Sequence, residues 1–196
     1  MWPTVLEIAV GLVMGVLCGI NMALLIMLLP VLQNWFLPVM VMSQAIPIFA
    51  VAPLLVLWFG YGITAKIITI VLMLFFPIAS NFYDGLRRTP NEWLELAQTM
   101  QARPINILLK VRIPAAMPAL ASGLRIAAVF APMGAIVSEW VGASQGLGFL
   151  LLNANARVQV DLLFATLVTL ALLTLLLYFG IDSFMKKLIY WQASYA

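Results

Sequence analysis

Five stretches of this 196-residue chain stay apolar for long enough to cross a bilayer: near Val5 to Leu29, Pro38 to Phe59, Ile63 to Tyr83, Ala116 to Trp140 and Leu162 to Met185. A hydrocarbon core is roughly 30 Å thick, so a helix rising about 1.5 Å per residue needs about 20 apolar residues to traverse it. Lipid cannot hydrogen-bond a bare backbone, which leaves helices as the form such runs must take. The sequence therefore predicts an all-α, polytopic transmembrane helical bundle of about five spans, forming a single domain over residues 1–196. A content of 65% hydrophobic and only 9% charged residues makes lipid its main solvent. The first run has no basic leading segment and exceeds the length of an export signal's apolar part, so it reads as a retained span.

The charges decide orientation. Nearly half of them fall between Asp84 and Pro114, and Arg87, Arg88, Arg103, Lys110 and Arg112 mark that loop as cytoplasmic, with Lys186 and Lys187 on the same side. Lys66 and Arg157 fall near the opposite face, and counting back through five spans puts Met1 outside. A net charge of +3 dispersed in this way makes no groove for nucleic acid. With one cysteine, Cys18, and no histidine, an intrachain disulfide and a Cys/His metal cluster are excluded. No cofactor is expected. No G-x-x-x-x-G-K-[ST] phosphate loop occurs, so the chain is not expected to hydrolyse nucleotides by that route.

Two stretches do not read as plain crossings. Pro30 to Pro47 carries three prolines, and Gly142 to Asp161 carries Gly142, Gly146 and Gly148, so both are read as interfacial or re-entrant. In the first span Gly11, Gly15, Gly19 and Ala23 recur every fourth residue, a seam for close helix approach either within one chain or between two copies. Arg125 is the charge to weigh at span depth. Glu139 lies fourteen residues away, roughly 21 Å along a helix, so Arg125 must find acceptors on another span or line the pathway. Glu139 either shapes an outer gate or ends its span in solvent. Ser43, Gln44 and Asn81 are further candidate pathway polars.

Between the third and fourth spans, Thr89, Pro90 and Glu92 predict a helix start, with Thr89 as N-cap and Pro90 at the first helical position. Leu94, Ala97 and Met100 or Gln101 supply an apolar face. A turn is expected near Gln101 to Pro104, then a second short helix that Pro114 ends. The segment 84–114 thus predicts a helix-turn-helix at the membrane surface.

Glu95-Leu96-Ala97, three residues, Gln101, nine residues, and Val111-Arg112-Ile113-Pro114 resemble the EAA signature of binding-protein-dependent ABC importer permeases. Glu95, Ala97 and Pro114 match that pattern identically. Leu96 departs mildly, and Gln101 stands where the family has glycine, the residue that tolerates a left-handed turn. The resemblance runs from Leu6 to Trp191 and is closest to the nitrate, sulfonate, taurine and thiamine-precursor branch. Ala52-Pro53-Leu54-Leu55, Phe75-Phe76-Pro77-Ile78, Gly123-Leu124-Arg125-Ile126-Ala127 and Glu139-Trp140-Val141-Gly142 through Gly148 carry it further. Asn153-Ala154-Asn155-Ala156-Arg157 is most similar to permeases for hydroxymethylpyrimidine, a thiamine precursor.

The resemblance implies a permease subunit in a bacterial inner membrane, working by alternating access. Its implied partners are cytosolic ABC ATPase subunits, which hydrolyse the ATP, a solute-binding protein and a second permease copy. Glu95, Leu96, Ala97, Gln101 and Pro114 would make the coupling element that docks on the ATPase. An external Met1 without an export signal suggests a reading frame lacking a first span. With Gln101 at the glycine position, that leaves a truncated, nonfunctional permease as one alternative, and a taurine, sulfonate or nitrate permease as another. A self-contained secondary transporter would call for several intramembrane charges or an inverted repeat, and neither is evident.

Overall fold

The computed structural model describes residues 1–29, 33, 38, 41–42 and 44–191, and among these it is helical with no strand. Helix α1 (Trp2–Leu28) is followed by α2 (Ile48–Phe59), α3 (Ile63–Arg87), α4 (Asn91–Thr99) and α5 (Pro104–Ile107). A π turn, Leu108–Arg112, carries α5 directly into α6 (Ile113–Gly142); α7 (Leu147–Ala156) and α8 (Val160–Leu188) complete the order. Among the described residues, four helical paths are long and apolar enough to cross a membrane: α1, α3, the 39-residue path Pro104–Gly142, and α8.

Four expected spans thus appear as long helices, but Pro38 to Phe59 is interrupted. The chain bends at Ile46, Pro47 is extended (φ −61°, ψ 124°), and α2 has 12 residues, about 18 Å of rise. Proline lacks the amide a helix needs and drives the preceding residue out of helical geometry. Part of the Pro30 to Pro47 stretch lies outside the described residues. The Gly142 to Asp161 stretch holds the 10-residue helix α7 between α6 and α8.

Helix α3 is central, packed on α1 along one side and on α6 along the other. Gly11, Gly15 and Gly19 face Ile70, Leu74 and Ile78; a Cβ on Gly15 would lie 3.0 Å from Leu74 and one on Gly19 would lie 2.7 Å from Ile78. The seam therefore serves packing within the chain. Hydrocarbon tails are as apolar as leucine, so helices associate in lipid by close van der Waals fit, which small residues permit. On α6 the same device recurs at Gly123, whose Cβ would meet the Pro77 carbonyl, and at the buried Ala116, Ala127, Ala131 and Ala135.

Pro114 does not end a short helix. The Ile113 amide donates to the Leu108 carbonyl, five residues back, and this wider π turn makes room for a ring that carries no amide of its own. The path continues unbroken from Pro104 to Gly142. Arg87 in the last turn of α3 and Lys186 and Lys187 in that of α8 sit where helix dipoles favour cations.

Candidate functional site

Helix α4 sits between α3 and α5 at the basic end of the bundle. It begins one residue later than the sequence suggests: Pro90 occupies the N-cap position, with no side-chain cap. Thr89 is buried, and its hydroxyl donates to the Leu86 carbonyl (3.1 Å), completing the end of α3 instead. The expected Thr89 cap is therefore absent. Glu92 remains in the first turn, where the dipole favours a carboxylate.

Leu94 and Ala97 are half-buried. Leu94, with Gln98, lines a cavity of about 410 Å³ over Met27, Leu108 and Arg112. Outward, Trp93, Leu96 and Met100 are 51%, 62% and 75% exposed. Their spacing puts them on one stripe, flanked by the exposed Glu92 and Glu95. Sequence reasoning set Met100 on one face with Leu94 and Ala97 and passed over Trp93; the structure turns Met100 outward with Trp93 and Leu96, whose helical spacing was the available signal.

The turn after α4 explains the glycine position of the motif. The Ala102 amide donates to the Ala97 carbonyl (3.0 Å) and the Gln101 amide to the Gln98 carbonyl (2.8 Å), the paired bonds of a Schellman cap. That cap needs its C′ residue in left-handed geometry. Gln101 is that residue, at φ +56°.

Inside the bundle, Arg125 finds its acceptor on another span: Nε donates to Asp182 Oδ1 at 2.7 Å, and Lys186 pairs with Oδ2 of the same carboxylate. Asp182 is a second charge within a span, which the sequence reading passed over. Asn81 is half-buried, with its Nδ2 donating to the Pro77 carbonyl of its own helix at 2.7 Å. Gln44 is exposed, and Ser43 lies outside the described residues.

Glu139 does not end its span in solvent; it is 1% exposed. Thr4 donates to its Oε1 (2.6 Å), the Gly148 amide donates to Oε2 (2.5 Å), and the Leu147 amide donates to the Thr4 hydroxyl (2.9 Å). The Thr4 hydroxyl and the Glu139 carboxylate thus satisfy the first two amides of α7, which have no partner within their own helix. The carboxylate fills the space that side chains on Gly146 and Gly148 would need, and Gly146 bends there at φ +123°. Beside it, Lys66 donates to Glu7 Oε1 at 2.7 Å, while Glu7 Oε2 has no partner among the described residues. Thr4 and Glu7 escaped the sequence reading, which placed Lys66 near the face opposite the basic loop without a partner. Glu7 lies one four-residue step before Gly11, on the same helix face.

A helical bundle with these apolar spans and this connecting segment has well-defined relatives. Residues 11–189 match the family described as binding-protein-dependent transport system inner membrane component. The chain belongs to this family. The permease is 54% identical over 187 residues to a probable ABC transporter permease protein of Haemophilus influenzae, covering 95% of this chain and 76% of that one. It is 36% identical over 189 residues to the formylaminopyrimidine transport permease protein ThiX of Halalkalibacterium halodurans, covering 96% and 76%. The taurine transport system permease protein TauC of Escherichia coli is 29% identical over 186 residues, 95% of this chain and 68% of that one. An inward-facing structure of the MetNI methionine ABC transporter superposes with a TM-score of 0.83 at 21% identity, over 95% of the permease and 93% of that chain. At that identity the likeness establishes the fold.

Proposed function

We propose that this ABC importer permease carries a thiamine precursor such as hydroxymethylpyrimidine across a bacterial inner membrane. In this reading it is one domain, pairs with a second copy of itself, receives solute from a binding protein and is driven by separate ATPase subunits. The observation that carries the proposal is the outward stripe of α4. Trp93, Leu96 and Met100 are large, apolar and exposed on the basic, cytoplasmic side, next to Glu95. A partner that covers them gains apolar burial of about 25 cal/mol per Å². The Schellman cap at Gln101 fixes the direction in which α4 leaves the bundle, and the continuous helix through Pro114 joins that joint to a membrane span. Displacement of α4 by ATPase closure then moves α6, alternating the bundle between inward-open and outward-open states. Arg125, tied to Asp182, and Glu139, tied to α7, act in this scheme as positioning residues rather than ligands; Gln44, Ser43 and Asn81 remain candidate lining polars.

The substrate class follows the Asn153 to Arg157 run at the end of α7 and the similarity to a permease named for formylaminopyrimidine. Its test is uptake of labelled hydroxymethylpyrimidine by vesicles containing the permease, its ATPase and its binding protein. ATP-dependent uptake that unlabelled pyrimidine abolishes, and that taurine and nitrate leave unchanged, is the expected result. Competition by taurine or nitrate would move the substrate to the alternative class, and no ATP-dependent uptake of any of the three would refute the substrate assignment.

A further inference from the structure

At the basic end of the bundle, a groove of about 650 Å³ opens between the end of α3, the base of α4, the start of α6 and Trp191. Arg88 and Lys110, both exposed, line it, and no carboxylate among the described residues pairs with either. Trp93 and Trp191 line the same groove. The positive-inside rule explains why cations lie on this side; it does not explain why two of them converge on one groove with two indoles.

The rest of the wall is apolar and small. From Pro114 the groove climbs along α6 to Pro118 and Ala119, about 7 Å toward the membrane centre at 1.5 Å per residue. Polar and cationic at headgroup level, ringed by tryptophans that favour the interface, and apolar above, the groove has the profile of a phospholipid seen from the side. The cytoplasmic leaflet supplies anionic headgroups, and basic pockets between spans on that side suit them. A soluble anion would use the two cations and leave the apolar wall bare.

We propose that this groove binds one anionic phospholipid of the cytoplasmic leaflet, its phosphate between Arg88 and Lys110 and its first acyl carbons along Pro118 and Ala119. The lipid would brace the base of α4, where that helix joins the bundle. It does not depend on the solute carried.

The test is native mass spectrometry of the whole permease, released from nanodiscs of phosphatidylethanolamine doped with phosphatidylglycerol. The wild type should retain one phosphatidylglycerol in preference to phosphatidylethanolamine. The Arg88→Gln, Lys110→Gln double variant should lose retention by about thirtyfold, taking about 1 kcal/mol for each cation near the membrane surface. The Lys186→Gln, Lys187→Gln variant, with the same charge change on the same side but outside the groove, should retain the lipid as wild type does. Equal loss in both variants would reduce the effect to general surface attraction and overturn the site. Displacement of the lipid by excess inorganic phosphate would make it a soluble-anion site and overturn the lipid assignment. Retention unchanged in the Arg88, Lys110 variant would overturn it outright.

Discussion

Replacing Gln101 with glycine should tighten the joint on which coupling depends. Gln101 sits at φ +56° as the C′ residue of the cap that ends α4. A side chain in left-handed geometry costs about 1–2 kcal/mol. Glycine escapes that cost but loses more backbone freedom on folding, about 0.5–1 kcal/mol. The difference leaves Gln101→Gly more stable at this turn by about 0.5–1 kcal/mol, a factor of about two to five in the local opening equilibrium. Hydrogen exchange reads it directly. The amides of Gln101 and Ala102, which donate to Gln98 and Ala97, should exchange about two to five times more slowly in the variant. Amides in the middle of α6 should be unchanged. Exchange that is unchanged or faster at Ala102 would refute the strain argument.

Val158 ends α7 in the same way, at φ +55°, with the Gln159 amide bonded to the Ala154 carbonyl. A β-branched residue is less suited to that geometry than Gln101, so Val158→Gly should slow exchange at the Gln159 amide by at least as large a factor. Gly15→Leu should destabilise the bundle by about 2 kcal/mol or more, because its side chain would have to displace Leu74 in a close-packed seam; unfolding in mixed detergent followed by circular dichroism measures it. Glu139→Ala should cost about 3 kcal/mol in the same assay, since it strips an acceptor from the Thr4 hydroxyl and the Gly148 amide in a buried place.

What the sequence made legible were properties written within one helix. The Gly11, Gly15, Gly19 period announced a close approach, yet a period names a face and not the neighbour on it; Ile70, Leu74 and Ile78 lie more than fifty residues away. The same period taken one step back lands on Glu7, so the buried end of that stripe was readable and went unread. The glycine-demanding turn was readable at Gln101, and the structure supplies its geometry. Proline rules misled at Pro114 because they assume α-helical spacing, which the π turn at Leu108–Arg112 relaxes. At Pro47 the same rules held: the prolines of Pro30 to Pro47 argued against a plain crossing, and the chain is extended at Pro47 before α2. Pairings such as Arg125 with Asp182 and Thr4 with Glu139 have no local signature. They follow only from which helices the fold brings together.

The central claim is that α4 joins this permease to an ATPase, and co-purification tests it most directly. Tagged permease should retain its ATPase through membrane extraction. Glu95→Lys and the pair Leu96→Asp, Met100→Asp should lose it while staying inserted and folded, because they invert the charge beside the exposed stripe and bury charge within it. ATPase retained equally by both variants, or not retained by the wild type, would contradict the account and leave α4 an inert connector at the membrane surface.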